Sequence, residues 1–147
     1  MAQNPPPYFP RITPYLLYED VPGALEWLST AFGFRERLRF TGPDGTVNHA
    51  EMEFEDGVIM LGDPGDSYRN PARGGGVTVQ LHVYVDDVDA HFERARAAGA
   101  KIRKELTDEE YGDRRYDAFD PEGHLWSFAQ HVRDVTPEDW GAEPGQS

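Results

Sequence analysis

The chain has 147 residues, no cysteine, and 27 acidic against 14 basic side chains, which give a net charge of −13. This length fits one domain, or two small modules, that can fold without a disulfide or a structural metal. The absence of cysteine excludes thiolate zinc sites and cysteine nucleophiles. The acidic charge argues against a nucleic-acid partner, because phosphate binding relies on Lys and Arg. No apolar run is long enough to span a membrane. We therefore expect a cytoplasmic protein that binds neither nucleic acid nor membrane.

The first predicted elements are a β-type run from Ile12 and a helix after it. Asp20 suits the N-cap of this helix, Pro22 its opening turn, and Gly33 the left-handed residue that ends it. The apolar residues between them recur at helical spacing and form one stripe: Val21, Ala24, Leu25, Leu28, Ala31 and Phe32. Three β-type runs follow, over Arg35–Thr41, Val47–Phe54 and Val58–Leu61. The order of elements in this stretch is therefore βαβββ.

The same order recurs after a linker over residues 64–76 that contains glycine and proline. A strand over 77–85 alternates Val and Leu with polar residues, and a second helix begins at Asp87 and ends at Gly99. Three more β-type runs cover Lys101–Leu106, Arg114–Phe119 and Leu125–Gln130. Matching landmarks, such as Val21 and Val88, lie 66 or 67 residues apart. We predict one domain over residues 1–131, with modules at about 12–63 and 77–130, and an acidic tail over 132–147.

Burial rules turn this pattern into an α+β architecture of tandem βαβββ modules. The apolar stripe of each helix must pack on a sheet, so the Val and Leu face of each sheet is expected to lie against its helix. The opposite faces carry Thr, Gln, His and Tyr. We expect these two polar faces to line a cleft between curved sheets.

This order of elements and two sequence phrases resemble those of the vicinal oxygen chelate superfamily. The phrases are Tyr-Glu-Asp-Val-Pro-Gly-Ala-Leu-Glu-Trp-Leu with Ala-Phe-Gly-Phe, over 18–28 and 31–34, and Asp-Pro-Glu-Gly-His-Leu-Trp-Ser-Phe over 120–128. The superfamily holds glyoxalase I, extradiol dioxygenases, fosfomycin-modifying enzymes and bleomycin-resistance binding proteins. The resemblance covers Ile12 to His131 and implies the glyoxalase/bleomycin-resistance fold. It leaves the chemistry open, because one fold hosts many functions.

The resemblance also implies where a catalytic metal ion would be bound. The family's metal enzymes take ligands from the first strand of each module, which places Thr13 and Gln80 at two ligand positions. The last strands supply the others, which fall at Ser127 and near Met60 or Leu61. A catalytic divalent metal prefers imidazole and carboxylate ligands, which these residues do not supply. We therefore expect no metal site and no cofactor, which favours the metal-free binding branch of the family.

Other candidates lie on the predicted polar faces. His49 and Glu51 point to the same side because they are two residues apart in one strand. Together with His82 they could form a displaced metal site or a general acid–base pair, with Glu51 or His82 as the general base. The alternative is that all three are hydrogen-bonded lining residues without a chemical role.

Tyr15 is our preferred aromatic contact for a ligand, with Thr13 on the same face. In the second module Gln80, His82 and Tyr84 occupy the equivalent strand and supply hydrogen bonds and stackable area. The predicted ligand-binding set is Thr13, Tyr15, His49, Glu51, Gln80, His82, Tyr84 and Ser127.

Residues outside this set receive structural interpretations. His91 matches Ala24 in the repeat, and we expect its side chain to be exposed to solvent. His131 closes the last strand, and nothing in the sequence singles it out. We expect the acidic tail to be loosely ordered, with Trp140 as a possible anchor.

These observations favour a small-molecule-binding protein of the glyoxalase/bleomycin-resistance type, which holds a neutral or cationic organic molecule for drug or metabolite sequestration. A homodimer is expected, because members of the family commonly dimerise. Two alternatives stay open: a metal-dependent lyase, isomerase or dioxygenase with a rearranged site, and a protein-interaction module. If the protein is an enzyme, a glyoxalase-like lyase is the expected activity.

Overall fold

The computed structural model describes residues 2–145, so the first residue of the predicted domain and the last two of the predicted tail lie outside the described residues. The chain divides into two compact units. The first contains the residues up to Gly76 together with Pro121–Gly123, and the second contains Val77–Asp120 and the residues from His124 onward.

The first unit is built from one four-stranded sheet and one long helix. Its elements are β1 (Tyr15–Leu17), α1 (Val21–Phe32), β2 (Arg35–Thr41), β3 (Val47–Phe54), β4 (Gly57–Gly62) and the one-turn α2 (Pro71–Gly74). The strand order is β1-β4-β3-β2, and β1 pairs in parallel with β4 while the other neighbours are antiparallel. The helix α1 packs on β2 and β3, and its predicted apolar stripe is buried.

The second unit repeats this arrangement. Its elements are β5 (Gln80–Tyr84), α3 (Val88–Ala97), β6 (Lys101–Asp108), β7 (Asp113–Phe119) and β8 (Leu125–His131), followed by a 3-10 turn at Pro137–Trp140. The strand order is β5-β8-β7-β6, with β5 parallel to β8. The predicted α+β class and the duplicated βαβββ order are confirmed. None of the helices among residues 2–145 is long and apolar enough to cross a membrane.

Both helices begin at the predicted aspartate caps. The Asp20 carboxylate accepts a hydrogen bond from the Gly23 N–H at 3.0 Å, and the Asp87 carboxylate accepts one from the Ala90 N–H at the same distance. Each cap satisfies one of the N–H groups that lack a partner in the first turn. At the other end of α1, Gly33 has φ of 83°, in the left-handed region that favours glycine.

The first strand of the second unit is shorter than predicted. It begins at Gln80, whereas Val77 and Val79 are 37% and 68% exposed and belong to no strand. Alternation therefore overestimated the strand, because β8 supplies parallel partners only from Leu125 onward, opposite Gln80.

Candidate functional site

Two rows of residues cross the first sheet on the side away from α1, which we call the far face of that sheet. Cross-strand partners place Tyr15, Met60, Glu51 and Leu38 in one row, and Leu17, Gly62, His49 and Phe40 in the next. Directly opposed residues in a sheet point to the same side, so the eight residues share this face. The alternating residues Ala50, Met52 and Leu61 are fully buried.

The far face of the first sheet exposes large apolar side chains. Tyr15 and Phe40 are 50% and 57% exposed, and Leu17 and Leu38 also remain exposed. Between them, Glu51 is only 8% exposed. Exposed apolar groups collected around a few polar atoms are typical of a ligand-binding surface.

Tyr15, His49 and Glu51 form a continuous polar chain on this face. The Tyr15 hydroxyl lies 2.7 Å from His49 Nδ1, and His49 Nε2 lies 3.5 Å from a Glu51 carboxylate oxygen. The ring of Tyr15 lies directly over Gly62, since a Cβ at that position would come within 2.6 Å of the ring. Because Gly62 of β4 has no side chain, the Tyr15 hydroxyl can reach His49.

The far face of the second sheet carries the equivalent rows. One row is His82, Ser127, Asp117 and Lys104, and the next contains Tyr84, Ala129 and Arg115. Asp117 stands 66 residues after Glu51, at the same place in the sheet. Both positions therefore hold a buried carboxylate.

Asp117 is surrounded by guanidinium groups. Its side chain is fully buried, and Oδ2 lies 3.2 Å from Arg103 and 3.7 Å from Arg115. Arg115 also donates to the Ser127 hydroxyl at 3.2 Å. The second carboxylate oxygen, Oδ1, is buried without a hydrogen-bond partner. The centre of this far face is thus an internal ion-pair network.

A second polar chain lies at the end of β7 and β8. The Tyr84 hydroxyl donates to Asp113 Oδ2 at 3.0 Å, and Asp113 Oδ1 lies 2.8 Å from His131 Nδ1. The other ring nitrogen of His131 lies 2.8 Å from Asp134. Hydrogen bonds to Asp113 and Asp134 raise the pKa of His131. Burial, followed by the contact with Asp113, raises the pKa of Tyr84.

The positions at which the resemblance to the vicinal oxygen chelate superfamily places metal ligands hold no imidazole or carboxylate group. Thr13 is half-buried outside β1, and Gln80 is exposed opposite Leu125 rather than opposite Ser127. The guanidinium of Arg115 is hydrogen-bonded to Ser127, which places a fixed positive charge at this position. Within residues 2–145, no three His, Asp or Glu side chains are grouped as a metal site requires.

The structure brings some of the predicted site residues together. Tyr15, His49 and Glu51 form one cluster, and the rings of His82 and Tyr84 meet edge to face at 5.1 Å. Within the described part of the chain, the side chains of Thr13 and Gln80 make no hydrogen bond. The predicted association of His82 with His49 and Glu51 stays a prediction.

Asp117, the buried carboxylate of the second unit, was not identified from the sequence. The 66-residue offset from Glu51 points to Asp117, so this residue could have been found from the repeat. The pairing of Asp113 with His131 carries no such signal, because it joins residues 18 positions apart in two different strands. The expectation that His91 is exposed was wrong. It is 9% exposed, and its Nδ1 lies 2.6 Å from the buried Tyr116 hydroxyl.

Comparisons with known proteins agree with this fold. A family model described as the Glyoxalase/Bleomycin resistance protein/Dioxygenase superfamily matches residues 10–128. An uncharacterized protein of Mycobacterium bovis is 37% identical over 135 residues, which cover 88% of this chain and 89% of that protein. The chain therefore belongs to the glyoxalase/bleomycin resistance protein/dioxygenase superfamily.

Solved structures show the same relationship. The crystal structure of TioX from Micromonospora sp. ML1 is 40% identical, with a TM-score of 0.70, and the match covers 84% of this chain and 99% of that one. The fosfomycin resistance protein FosX from Listeria monocytogenes is 17% identical, with a TM-score of 0.63, over 88% of this chain and 96% of that one. At that identity FosX shares the fold alone.

Proposed function

We propose that the protein binds a small neutral or cationic organic molecule on the far faces of its sheets, without a metal ion, and acts by sequestering a drug or metabolite. The observation that carries this proposal is the set of exposed apolar side chains around the buried carboxylate of Glu51: Tyr15, Leu17, Leu38 and Phe40. Water contact with such groups is unfavourable, so a ligand that covers them gains the free energy of apolar burial.

Charge supports a neutral or cationic ligand over an anionic one. Among the described residues, Glu51 has no Lys or Arg within ion-pair distance, and the nearest ring nitrogen is that of His49, at 3.5 Å. The nearby Arg35 and Arg37 instead face Glu53. The centre of the first far face therefore carries an uncompensated carboxylate, which attracts cations and repels anions.

Calorimetry with a panel of aromatic compounds tests this proposal. The panel contains bleomycin, 1-naphthylmethylammonium, neutral indole and anionic 1-naphthoate. We expect binding of one or more of the cationic or neutral compounds and much weaker binding of naphthoate.

Phe40→Ser should lower the affinity for the bound compound roughly fivefold, because it removes an exposed aromatic contact worth about 1 kcal/mol.

Ile12→Ser is the matched control for Phe40→Ser. Ile12 is 86% exposed and precedes β1, so its replacement removes a comparable exposed apolar group away from the far face. The proposal is wrong if no compound binds at high micromolar concentration, or if the control loses affinity as much as Phe40→Ser. The proposal also includes a homodimer and a cytoplasmic location, both of which are predictions from the sequence. Light scattering, which measures the mass of the particle in solution, tests the homodimer.

A further inference from the structure

Building on the proposed function, we infer that Tyr15 contacts the ligand only as a hydrogen-bond acceptor, so that the ligand group it recognises is an N–H or ammonium donor. The inference comes from the chain of contacts that joins Tyr15 to His49 and His49 to Glu51. It deepens the proposed function by naming the chemistry of one ligand group.

The first step concerns the proton on His49. A neutral imidazole has one donor nitrogen and one acceptor nitrogen. Its Nε2 faces the Glu51 carboxylate at 3.5 Å, and an ionised carboxylate can only accept. The favoured tautomer therefore carries its hydrogen on Nε2, which leaves the lone pair of Nδ1 directed at Tyr15.

The second step concerns the hydroxyl of Tyr15. Its oxygen lies 2.7 Å from His49 Nδ1, so the single hydroxyl hydrogen is donated to the histidine. The oxygen keeps its acceptor lone pairs for any further contact. Because Tyr15 is 50% exposed, a ligand can reach that oxygen, and the close contact over Gly62 limits where the ring can lie.

Tyr84 in the second unit provides an independent case of the same arrangement. Its hydroxyl donates to Asp113 at 3.0 Å, and Asp113 is 3% exposed. A carboxylate cannot return a hydrogen bond, so the oxygen of Tyr84 is also left as an acceptor. Tyr84 is 58% exposed. Both tyrosines on the far faces thus use their hydroxyl hydrogens inside the protein.

The tautomer of His49 is measured directly by long-range nitrogen–proton NMR correlation on the full chain. We expect a neutral ring that carries its hydrogen on Nε2, the nitrogen that faces the Glu51 carboxylate. A ring protonated on Nδ1, or on both nitrogens, would donate to Tyr15 and free the hydroxyl hydrogen for the ligand. Either result overturns the inference.

Indole and benzofuran are the matched probes for the ligand contact. They have nearly the same shape, but indole carries an N–H donor where benzofuran carries an ether oxygen. Titration followed by NMR is expected to show indole binding roughly tenfold more tightly, the size of one good hydrogen bond. Tyr15→Phe should remove this preference. His49→Phe should reduce it, because the freed hydroxyl can then donate to benzofuran.

Tyr8→Phe is the control, since Tyr8 is 87% exposed and lies before β1. It should leave the preference for indole unchanged. Equal binding of the two probes, or a preference that survives Tyr15→Phe, overturns the inference while leaving small-molecule binding intact. If neither probe nor any compound of the calorimetric panel binds, the proposed function itself fails, and the ligand assignment fails with it.

Discussion

Glu51 and Asp117 hold equivalent positions in the two sheets but have different neighbours. Glu51 faces the ring of His49, whereas Asp117 lies near the guanidinium groups of Arg103 and Arg115. Glu51 can thus polarise His49 and, through it, Tyr15. The charge of Asp117 is instead compensated by the two arginines. The two sheets therefore carry a buried carboxylate at the same position but surround it with different chemical groups.

Gly62 controls the position of the Tyr15 ring, so Gly62→Ala should weaken ligand binding with little loss of stability. The added Cβ would meet atoms of the Tyr15 ring at 2.6–3.1 Å, and the ring can swing away. That movement breaks the contact with His49. We expect indole affinity to fall at least as much as in Tyr15→Phe, while the free energy of unfolding changes by less than about 1 kcal/mol.

Gly57→Ala provides the comparison for this variant. Gly57 lies at the other end of β4, and a Cβ there meets the Phe54 carbonyl oxygen at 3.3 Å and no atom of Tyr15. Its effect on indole affinity should be small. A Gly62→Ala protein that binds indole normally would show that the ring position is not important for the site.

His131 should make stability depend on pH. Its contacts with Asp113 and Asp134 raise its pKa above the ordinary value of 6.5. The stabilisation is therefore fully present below about pH 6.5 and is lost as the pH rises through the raised value. We expect the difference in melting temperature between the wild type and His131→Gln to be larger at roughly pH 6 than at roughly pH 8.5.

Val132→Ala distinguishes this effect from a general loss of packing. Val132 is the exposed neighbour of His131 and carries no titratable group. Its melting temperature relative to the wild type should not change between the two pH values. A His131→Gln difference that stays constant, or that grows as the pH rises, contradicts the assigned contacts.

At the scale of elements, the two helices have the same kind of start. Asp20 and Asp87 each accept from the backbone N–H three residues onward. Asp87→Ala should lower the free energy of unfolding by about 1 kcal/mol, because the first turn of α3 loses that acceptor. Denaturant unfolding measures the loss. Asp86→Ala changes the adjacent exposed aspartate and should alter stability by less than about 0.5 kcal/mol.

The helices and strands could be predicted from the sequence because their signals are local. The caps Asp20 and Asp87, the glycine at 33 and the period of the apolar stripes are all contained within one element. The start of β5 could not be predicted, because it depends on where β8 supplies hydrogen-bond partners. The exposed Val79 shows that alternation alone does not define a strand end.

The candidate site was predictable only where its residues share a strand or a repeat position. His49 and Glu51 were found because they are two apart, and Tyr15 because of its place in the first strand. The burial of His91 was not predictable, since it depends on contact with Tyr116 and Phe128 from β7 and β8. Burial raises the pKa of Tyr116, which keeps its hydroxyl protonated beside His91. Such pairings are made by tertiary packing, which local patterns do not encode.

At the scale of the whole molecule, the net charge of −13 gives a testable distinction between cationic and neutral ligands. A protein of this charge raises the local concentration of cations, and salt screens that attraction. Between roughly 0.01 M and 0.15 M salt the screening length falls from about 30 Å to about 8 Å. The affinity for 1-naphthylmethylammonium should therefore fall several-fold over this range, while that for neutral indole should stay nearly constant.

The part of the chain after β8 carries several carboxylates that contribute to this charge. Asp134 is hydrogen-bonded to His131. No described hydrogen bond joins the other carboxylates of this segment to the candidate site residues of the second sheet. Replacing Glu138 and Glu143 together by Gln removes two exposed negative charges and keeps the cap at Thr136. If the attraction comes from the whole molecule, this variant should bind the cation slightly less tightly at low salt and equally at 0.15 M, where exposed charges are screened to about 8 Å. If it comes from Glu51 alone, the variant should match the wild type at both salt concentrations, and Glu51→Gln should remove most of the preference for the cation. Salt-independent binding of the cation would show that net charge has no role in ligand capture.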